Sequence, residues 1–174
     1  RNYFETHQTY NYDFRRKQLL ALKSSILSHE KELHDALYAD LKKSPEESWV
    51  TETGFLVAEI SHTLKHLRSW MKPTRVRTNL LNFPSRSFIY KEPLGVVLII
   101  GPWNYPIQLL FTPLVGAIAA GNCVVLKASE FAPATSTVMR KVIESSFPRE
   151  YISYTDGDGA KEIPAMMNEF RFDH

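Results

Sequence analysis

One stretch, Gly95-Val96-Val97-Leu98-Ile99-Ile100-Gly101, constrains the fold of this chain more than any other. Its five apolar residues show no polar alternation, and Val and Ile dominate between bounding glycines. That pattern describes a strand buried on both faces, as in a parallel sheet covered by helices. Parallel neighbours need crossover connections, so a helix has to follow. Gly101-Pro102 stops the strand, and Pro106 suits the first turn of the next helix. Between them lie Trp103, Asn104 and Tyr105. Asn104 thus falls just past the carboxyl end of a central strand, where open α/β sheets place their ligand crevice. A carboxamide there supplies the donor that an oxyanion site requires. The plainer reading is that an Asn before a helix caps its first amides.

From Gly95 onward the pattern runs strand, helix, strand, helix, strand. Strand 96–100 leads to helix 106–120, which Gly121-Asn122 closes as a left-handed C-cap. Strand 123–127 precedes a helix from Pro133 to Ser146, then a strand over Tyr151–Tyr154, the turn Asp156-Gly157-Asp158-Gly159 and a helix over 160–168. Phe170 to His174 reads as the approach to a further strand. The first half is helical. Leu19, Leu22, Ile26, Leu33, Leu37 and Leu41 recur at three- and four-residue steps over 13–42. A second helix opens with Ser44 as cap, Pro45 at its first position and Glu47 closing a capping box. Its stripe is Trp49, Phe55 or Leu56, Ile60, Leu64, Leu67 and Trp70, and Pro73 ends it. Residues 72–87 read as a connecting segment and Ser87–Tyr90 as a short edge strand. The expected fold class is α/β: N-terminal helices, then the first part of a doubly wound parallel sheet, incomplete at the C-terminus. The expected division is a helical arm with its connector, 1–86, and a partial dinucleotide-binding domain, 87–174.

Lys plus Arg number 21 against 19 Asp plus Glu, a net charge of +2. Such a balance gives no field suited to nucleic acid or an anionic membrane. The longest apolar stretch, Leu109 to Ala120, is broken by Thr112, Pro113 and Gly116, so no membrane-spanning segment is expected. The single cysteine, Cys123, excludes an internal disulfide and fits a reducing compartment. It opens a Val-Val-Leu run and reads as a small buried hydrophobe rather than a nucleophile. His62 and His66 lie four apart on a helix, but no Glu sits between them in a metalloprotease pattern, and they fall opposite the apolar stripe. The Asp156–Gly159 turn lacks the remaining ligands of a calcium loop. No metal is expected.

Pro102-Trp103-Asn104-Tyr105-Pro106, followed by Gly121-Asn122-Cys123-Val124-Val125-Leu126-Lys127-Ala128-Ser129-Glu130, resembles the aldehyde dehydrogenase superfamily. The short N-terminal arm and Glu92-Pro93-Leu94-Gly95 look most like its class 3 branch. The resemblance covers essentially all 174 residues, which correspond to the N-terminal portion only of such an enzyme. It implies a Rossmann-like fold and oxidation of aldehydes to carboxylic acids with NAD or NADP. Asn104 would hold the oxyanion of a cysteine thiohemiacetal, Tyr105 would line the aldehyde tunnel, and Trp103 would lie beside the cofactor. Lys127 and Glu130 would bond the adenosine ribose hydroxyls, since an ammonium donor and a carboxylate acceptor suit a diol. On the residues alone, Lys127 could equally snorkel out of the sheet and Glu130 favour a helix N-terminus. Ala128 departs from the proline common in the family, without removing either polar group.

No glycine-rich phosphate loop follows strand 96–100, so the common dinucleotide fingerprint is missing. The resemblance places the pyrophosphate turn, the general-base glutamate and the nucleophile beyond His174. The chain by itself is therefore expected to be inactive, and the complete enzyme to be a cytoplasmic homodimer acting on a small-molecule aldehyde. Two other readings remain: an acyl-phosphate or acyl-coenzyme A reductase of the same superfamily, and a non-catalytic protein that keeps the dinucleotide fold. Tyrosine between Asn104 and Pro106 favours the aldehyde-oxidising branch, and joint retention of Asn104, Lys127 and Glu130 argues against a scaffold.

Overall fold

A computed structural model describes residues 1–174. Eight helices, α1 (Asn2–Glu5), α2 (Tyr12–Ser28), α3 (Glu30–Leu41), α4 (Pro45–Ser48), α5 (Gly54–Trp70), α6 (Pro106–Ala120), α7 (Pro133–Ser146) and α8 (Gly159–Glu169), combine with five strands. The strands are β1 (Thr74–Val76), β2 (Ser87–Ile89), β3 (Val96–Ile100), β4 (Cys123–Lys127) and β5 (Ile152–Thr155).

The apolar stripe over 13–42 forms as expected, with Leu19, Leu22, Ile26, Leu33 and Leu37 fully buried. It is carried by two helices rather than one, because the ladder breaks at His29. There the Ser28 hydroxyl donates to the Ser25 carbonyl at 2.9 Å, and His29 Nδ1 lies 2.9 Å from the same oxygen. Side chains that compete for a backbone acceptor end a helix locally. Upstream, Asn11 caps α2 by accepting from the Asp13 and Phe14 amides.

The second helix also starts where expected, with the Ser44 hydroxyl accepting from Glu47 N at 3.2 Å. It then passes through one π-helical turn, Trp49–Thr53. The wider turn shifts the phase of everything before it. Leu56, rather than Phe55, goes into the core with Ile60 and Leu67, whereas Trp49 and Trp70 stay exposed, contrary to the stripe read from the sequence. In place of Trp49 the turn buries Glu52 and Thr53. Gly54 makes room for this, since a Cβ there would lie 2.6 Å from the Trp49 carbonyl oxygen.

The connector holds its own antiparallel hairpin, with Thr74 opposite Ile89 and Val76 opposite Ser87. The strand at Ser87 thus belongs to a separate two-stranded sheet and not to the edge of the parallel one. Three strands make the parallel sheet in the order β3-β4-β5. Val96 faces Cys123 and Ile100 faces Lys127, while Val124 faces Ile152 and Lys127 faces Thr155. This register brings the carboxyl ends of all three strands to one edge.

β3 is the outer strand of the three, so its burial fades along its length. Val96 and Val97 are buried and Ile100 is half exposed, where the sequence implied cover throughout. Beside its free edge run the last residues: Asp173 N donates to the Val96 carbonyl at 2.8 Å and Leu98 N to the His174 carbonyl at 3.0 Å. The approach to a further strand expected at Phe170–His174 is therefore in place, in the same direction as β3. Helices α6 and α7 cover one face of the sheet, and α2, α3 and α5 pack on them as an outer layer within one continuous core. Gly121 closes α6 at φ +89°, as expected of a left-handed C-cap. No helix is long and apolar enough to cross a membrane.

Candidate active site

The segment between β3 and α6 starts with a close approach: a Cβ on Gly101 would lie 2.9 Å from Leu110 Cβ. Gly101 N still donates to the Lys127 carbonyl at 2.9 Å, one step beyond the strand. The backbone then lifts away from the sheet, and Trp103, Asn104 and Tyr105 are all exposed. Pro106 opens α6, as expected, but the N-cap position is Tyr105 and carries no capping side chain. Asn104 does not cap the helix either. Its carboxamide makes no hydrogen bond within the protein; only its carbonyl oxygen is engaged.

The cap comes from far away in sequence. Glu52 Oε2 accepts from Ile107 N at 3.0 Å and Gln108 N at 2.9 Å. Its other oxygen, Oε1, accepts from Lys43 Nζ at 2.6 Å. Lys43 donates in turn to the Asn104 carbonyl at 2.9 Å and stands 3.9 Å over the Tyr105 ring. Burial pushes the Glu52 carboxyl up, against the Lys43 ammonium and the two helix amides that pull it down. A helix N-terminus is an anion site, and the common dinucleotide fold seats its pyrophosphate there. At α6 that place is filled by the protein's own carboxylate. A dinucleotide bound here has to carry its pyrophosphate elsewhere, consistent with the missing glycine fingerprint.

Lys127 ends β4 and is buried rather than snorkelled outward. Its ammonium donates to the Ala128 carbonyl at 2.6 Å and to Glu130 Oε2 at 3.3 Å. Glu130 Oε1 accepts from Gly159 N at 3.0 Å, so this carboxylate does sit at a helix N-terminus, that of α8. Its own backbone amide and that of Gly159 hold its carboxyl below the usual range. An ammonium and a carboxylate side by side at the carboxyl end of a strand offer a donor and an acceptor to one diol. The structure therefore pairs Lys127 with Glu130, and groups Trp103, Asn104 and Tyr105 on the neighbouring loop. No side-chain hydrogen bond joins the two sets; they meet through the Gly101–Lys127 backbone bond.

The model of the aldehyde dehydrogenase family matches residues 1–174, the whole chain. The chain belongs to that family. It is 44% identical over 171 residues to mouse (Mus musculus) aldehyde dehydrogenase family 3 member B3, covering 98% of this chain and 35% of that relative. Among solved structures it superposes with TM-score 0.92 and 41% identity on the substrate-bound state of Staphylococcus aureus AldH, covering 95% of this chain and 36% of that one. A betaine aldehyde dehydrogenase of Staphylococcus aureus in complex with NAD+ gives TM-score 0.77 and 27% identity, covering 92% of this chain and 32% of that one. The chain thus spans about a third of the length of these relatives.

Within this family member, Cys123 lies at the start of β4 in the core, away from the exposed loop. Burial pushes its thiol up to about 11, the opposite of what a nucleophile needs. It is the small buried hydrophobe expected. His66 stacks on Trp70, His62 lies tilted against both rings, and His66 Nδ1 lies 2.8 Å from the His62 carbonyl. Asp158 caps α8 through Ala160 N, and Asp156 accepts from Ser136 and pairs with Arg140, so the turn serves the fold.

Sequence reasoning missed Lys43 and Glu52. A signal existed for the second: Glu52 stands three residues after Trp49 and four before Leu56, a charge on an apolar stripe. Nothing local marks Lys43.

Proposed function

We propose that this chain provides the oxyanion donor and the ribose-binding pair of an NAD(P)-dependent aldehyde dehydrogenase that oxidises aldehydes to carboxylic acids. The observation that carries the proposal is the Asn104 carboxamide, exposed past the end of β3 and released from capping because Glu52 does that work. A side-chain N–H free of internal partners can donate to an aldehyde oxygen as thiolate attack on the carbonyl carbon gives that oxygen its negative charge. Asn104 holds the oxygen, and Tyr105, fixed under the Lys43 ammonium, forms a wall beside it.

Lys127 and Glu130 fit the adenosine ribose of the cofactor, the ammonium donating to one hydroxyl and the carboxylate accepting from the other. When bound, the nicotinamide supplies the two-electron acceptor that aldehyde oxidation needs. The carboxylate of Glu130 disfavours a 2′-phosphate, which inclines the site to NAD. The Staphylococcus aureus betaine aldehyde dehydrogenase complex with NAD+ supports the dinucleotide reading. The attacking thiolate is read as coming from outside these 174 residues, since Cys123 is buried and its thiol is pushed up. The base that activates water is placed outside them on the family resemblance alone. By itself the chain is read as inactive. The complete enzyme is read as a cytoplasmic homodimer, on the family resemblance and the lone thiol.

The test is Asn104→Ala in the complete enzyme. We expect kcat for aldehyde oxidation to fall about 10²–10³-fold with NAD+ affinity kept, the magnitude of losing one oxyanion donor. Unchanged turnover would remove the proposal.

A further inference from the structure

The Lys43–Glu52 pair touches no reacting group in the steps above, yet both side chains are buried, with Lys43 7% and Glu52 0% exposed. A buried ion pair is a weak source of net stability, because the loss of hydration offsets the attraction. Its distinctive effect is to fix geometry. Here the pair grips one loop at two points. Glu52 holds the start of α6 through the Ile107 and Gln108 amides, and Lys43 holds the Asn104 carbonyl while its charge rests on the Tyr105 ring. The link between the two grips is the 2.6 Å ion pair itself. The main chain of Asn104 is thereby held from below, and its carboxamide, bonded to nothing, takes its direction from that main chain.

We infer that Lys43 and Glu52 are positioning residues for Asn104, setting where its carboxamide meets the reacting oxygen. The inference rests on the oxyanion reading of Asn104. It assigns a role in turnover to two side chains that lie beneath the loop and touch no substrate.

The experiment uses the complete enzyme with Glu52→Gln and Lys43→Met, each alone and combined with Asn104→Ala. Lys43→Met leaves the Glu52 carboxyl in place to accept from α6, and thermal melting shows whether each variant stays folded. Measurements are kcat and KM for aldehyde, NAD+ affinity by tryptophan fluorescence quenching, and thermal melting. We expect kcat to fall about ten-fold or more in each single variant with NAD+ affinity kept, as small misplacements of a reacting group do. In the Asn104→Ala background we expect no further fall, the non-additivity of groups acting as one unit.

A purely structural pair lowers melting temperature without that dependence on Asn104. The inference is overturned if kcat in the folded single variants stays within about two-fold of the parent, or if the losses multiply with that of Asn104→Ala. It is also overturned if both variants fail to fold, which assigns the pair to stability alone. A parent enzyme without aldehyde oxidation, or an Asn104→Ala variant with full activity, removes the oxyanion reading and this inference with it. Loss in Asn104→Ala with none in the pair variants removes this inference only.

Discussion

Glu52 and Ile107 lie 55 positions apart in sequence, yet the carboxylate of the first accepts the amide of the second at 3.0 Å. The same solution recurs at the next helix. Asp40, from α3, accepts from Ala134 N at 3.2 Å and from Thr135 N at 2.7 Å. Both α6 and α7 begin with proline after a residue that cannot cap, Tyr105 in one case and Ala132 in the other. The outer helical layer therefore supplies the anions that complete the sheet-packing helices. It is joined to the nucleotide-type fold by directed bonds as well as by apolar contact.

Replacing Asp40 tests this at a distance from the exposed loop. Asp40→Ala removes the acceptor for two helix amides and for the Thr135 hydroxyl. We expect a loss of about 1–2 kcal/mol in urea unfolding, the range for a removed helix cap. Stability unchanged within error would show that α7 needs no external cap.

What the sequence made legible follows from which interactions are local. The strand 96–100, its proline-bounded loop and the left-handed Gly121 are encoded by residues adjacent to one another, and each is found where expected. Periodicity placed Ile60 and Leu67 inside correctly and left Phe55 and Leu56 as alternatives, of which Leu56 is the buried one. It put Trp49 there too, because a period of 3.6 is blind to one π turn. In the candidate site, the sequence marks Asn104, Lys127 and Glu130 through short-range motifs. It does not mark the reason Asn104 is free, since that depends on a carboxylate brought from the outer layer. The same holds for Lys127: its burial and its contact with Glu130 are outcomes of sheet register, not of spacing.

The ribose reading predicts a binding defect. Lys127→Met removes the donor and leaves Glu130 bonded to Gly159 N. We expect NAD+ affinity to fall by about ten-fold or more, the effect of one charge-assisted hydrogen bond of roughly 1.5–3 kcal/mol. Titration of intrinsic fluorescence with NAD+ checks it. Glu130→Gln is expected to narrow the preference for NAD over NADP, because the repulsion toward a 2′-phosphate is gone. Equal cofactor affinities before and after both changes would place the ribose elsewhere.

Gly121 tests the turn that ends α6. Its φ of +89° is a region that side chains rarely adopt, and a Cβ there would collide with the Arg15 guanidinium. That guanidinium is buried and donates to the Thr9 carbonyl at 2.7 Å and the Ala119 carbonyl at 3.0 Å. Gly121→Ala therefore adds backbone strain of about 1–2 kcal/mol and displaces two bonds to backbone carbonyls as well. We expect a lower melting temperature than for Ala substituted at Gly116, where a Cβ meets nothing within 4 Å.

Cys123 gives a prediction in pH. Burial raises its thiol from the ordinary range to about 11, so folding favours the protonated form. A raised folded value means that its contribution to stability is full below the ordinary thiol range and is lost as pH climbs toward 11. Reactivity follows the same sign, because the thiolate is the species that alkylates. In the folded protein at pH 8, iodoacetamide should leave the Cys123 peptide unmodified, as read by mass spectrometry after digestion. In urea at the same pH the peptide should be labelled fully. Rapid labelling of Cys123 in the folded state would mean an exposed, activated thiol at the start of β4, and would reopen it as a candidate nucleophile.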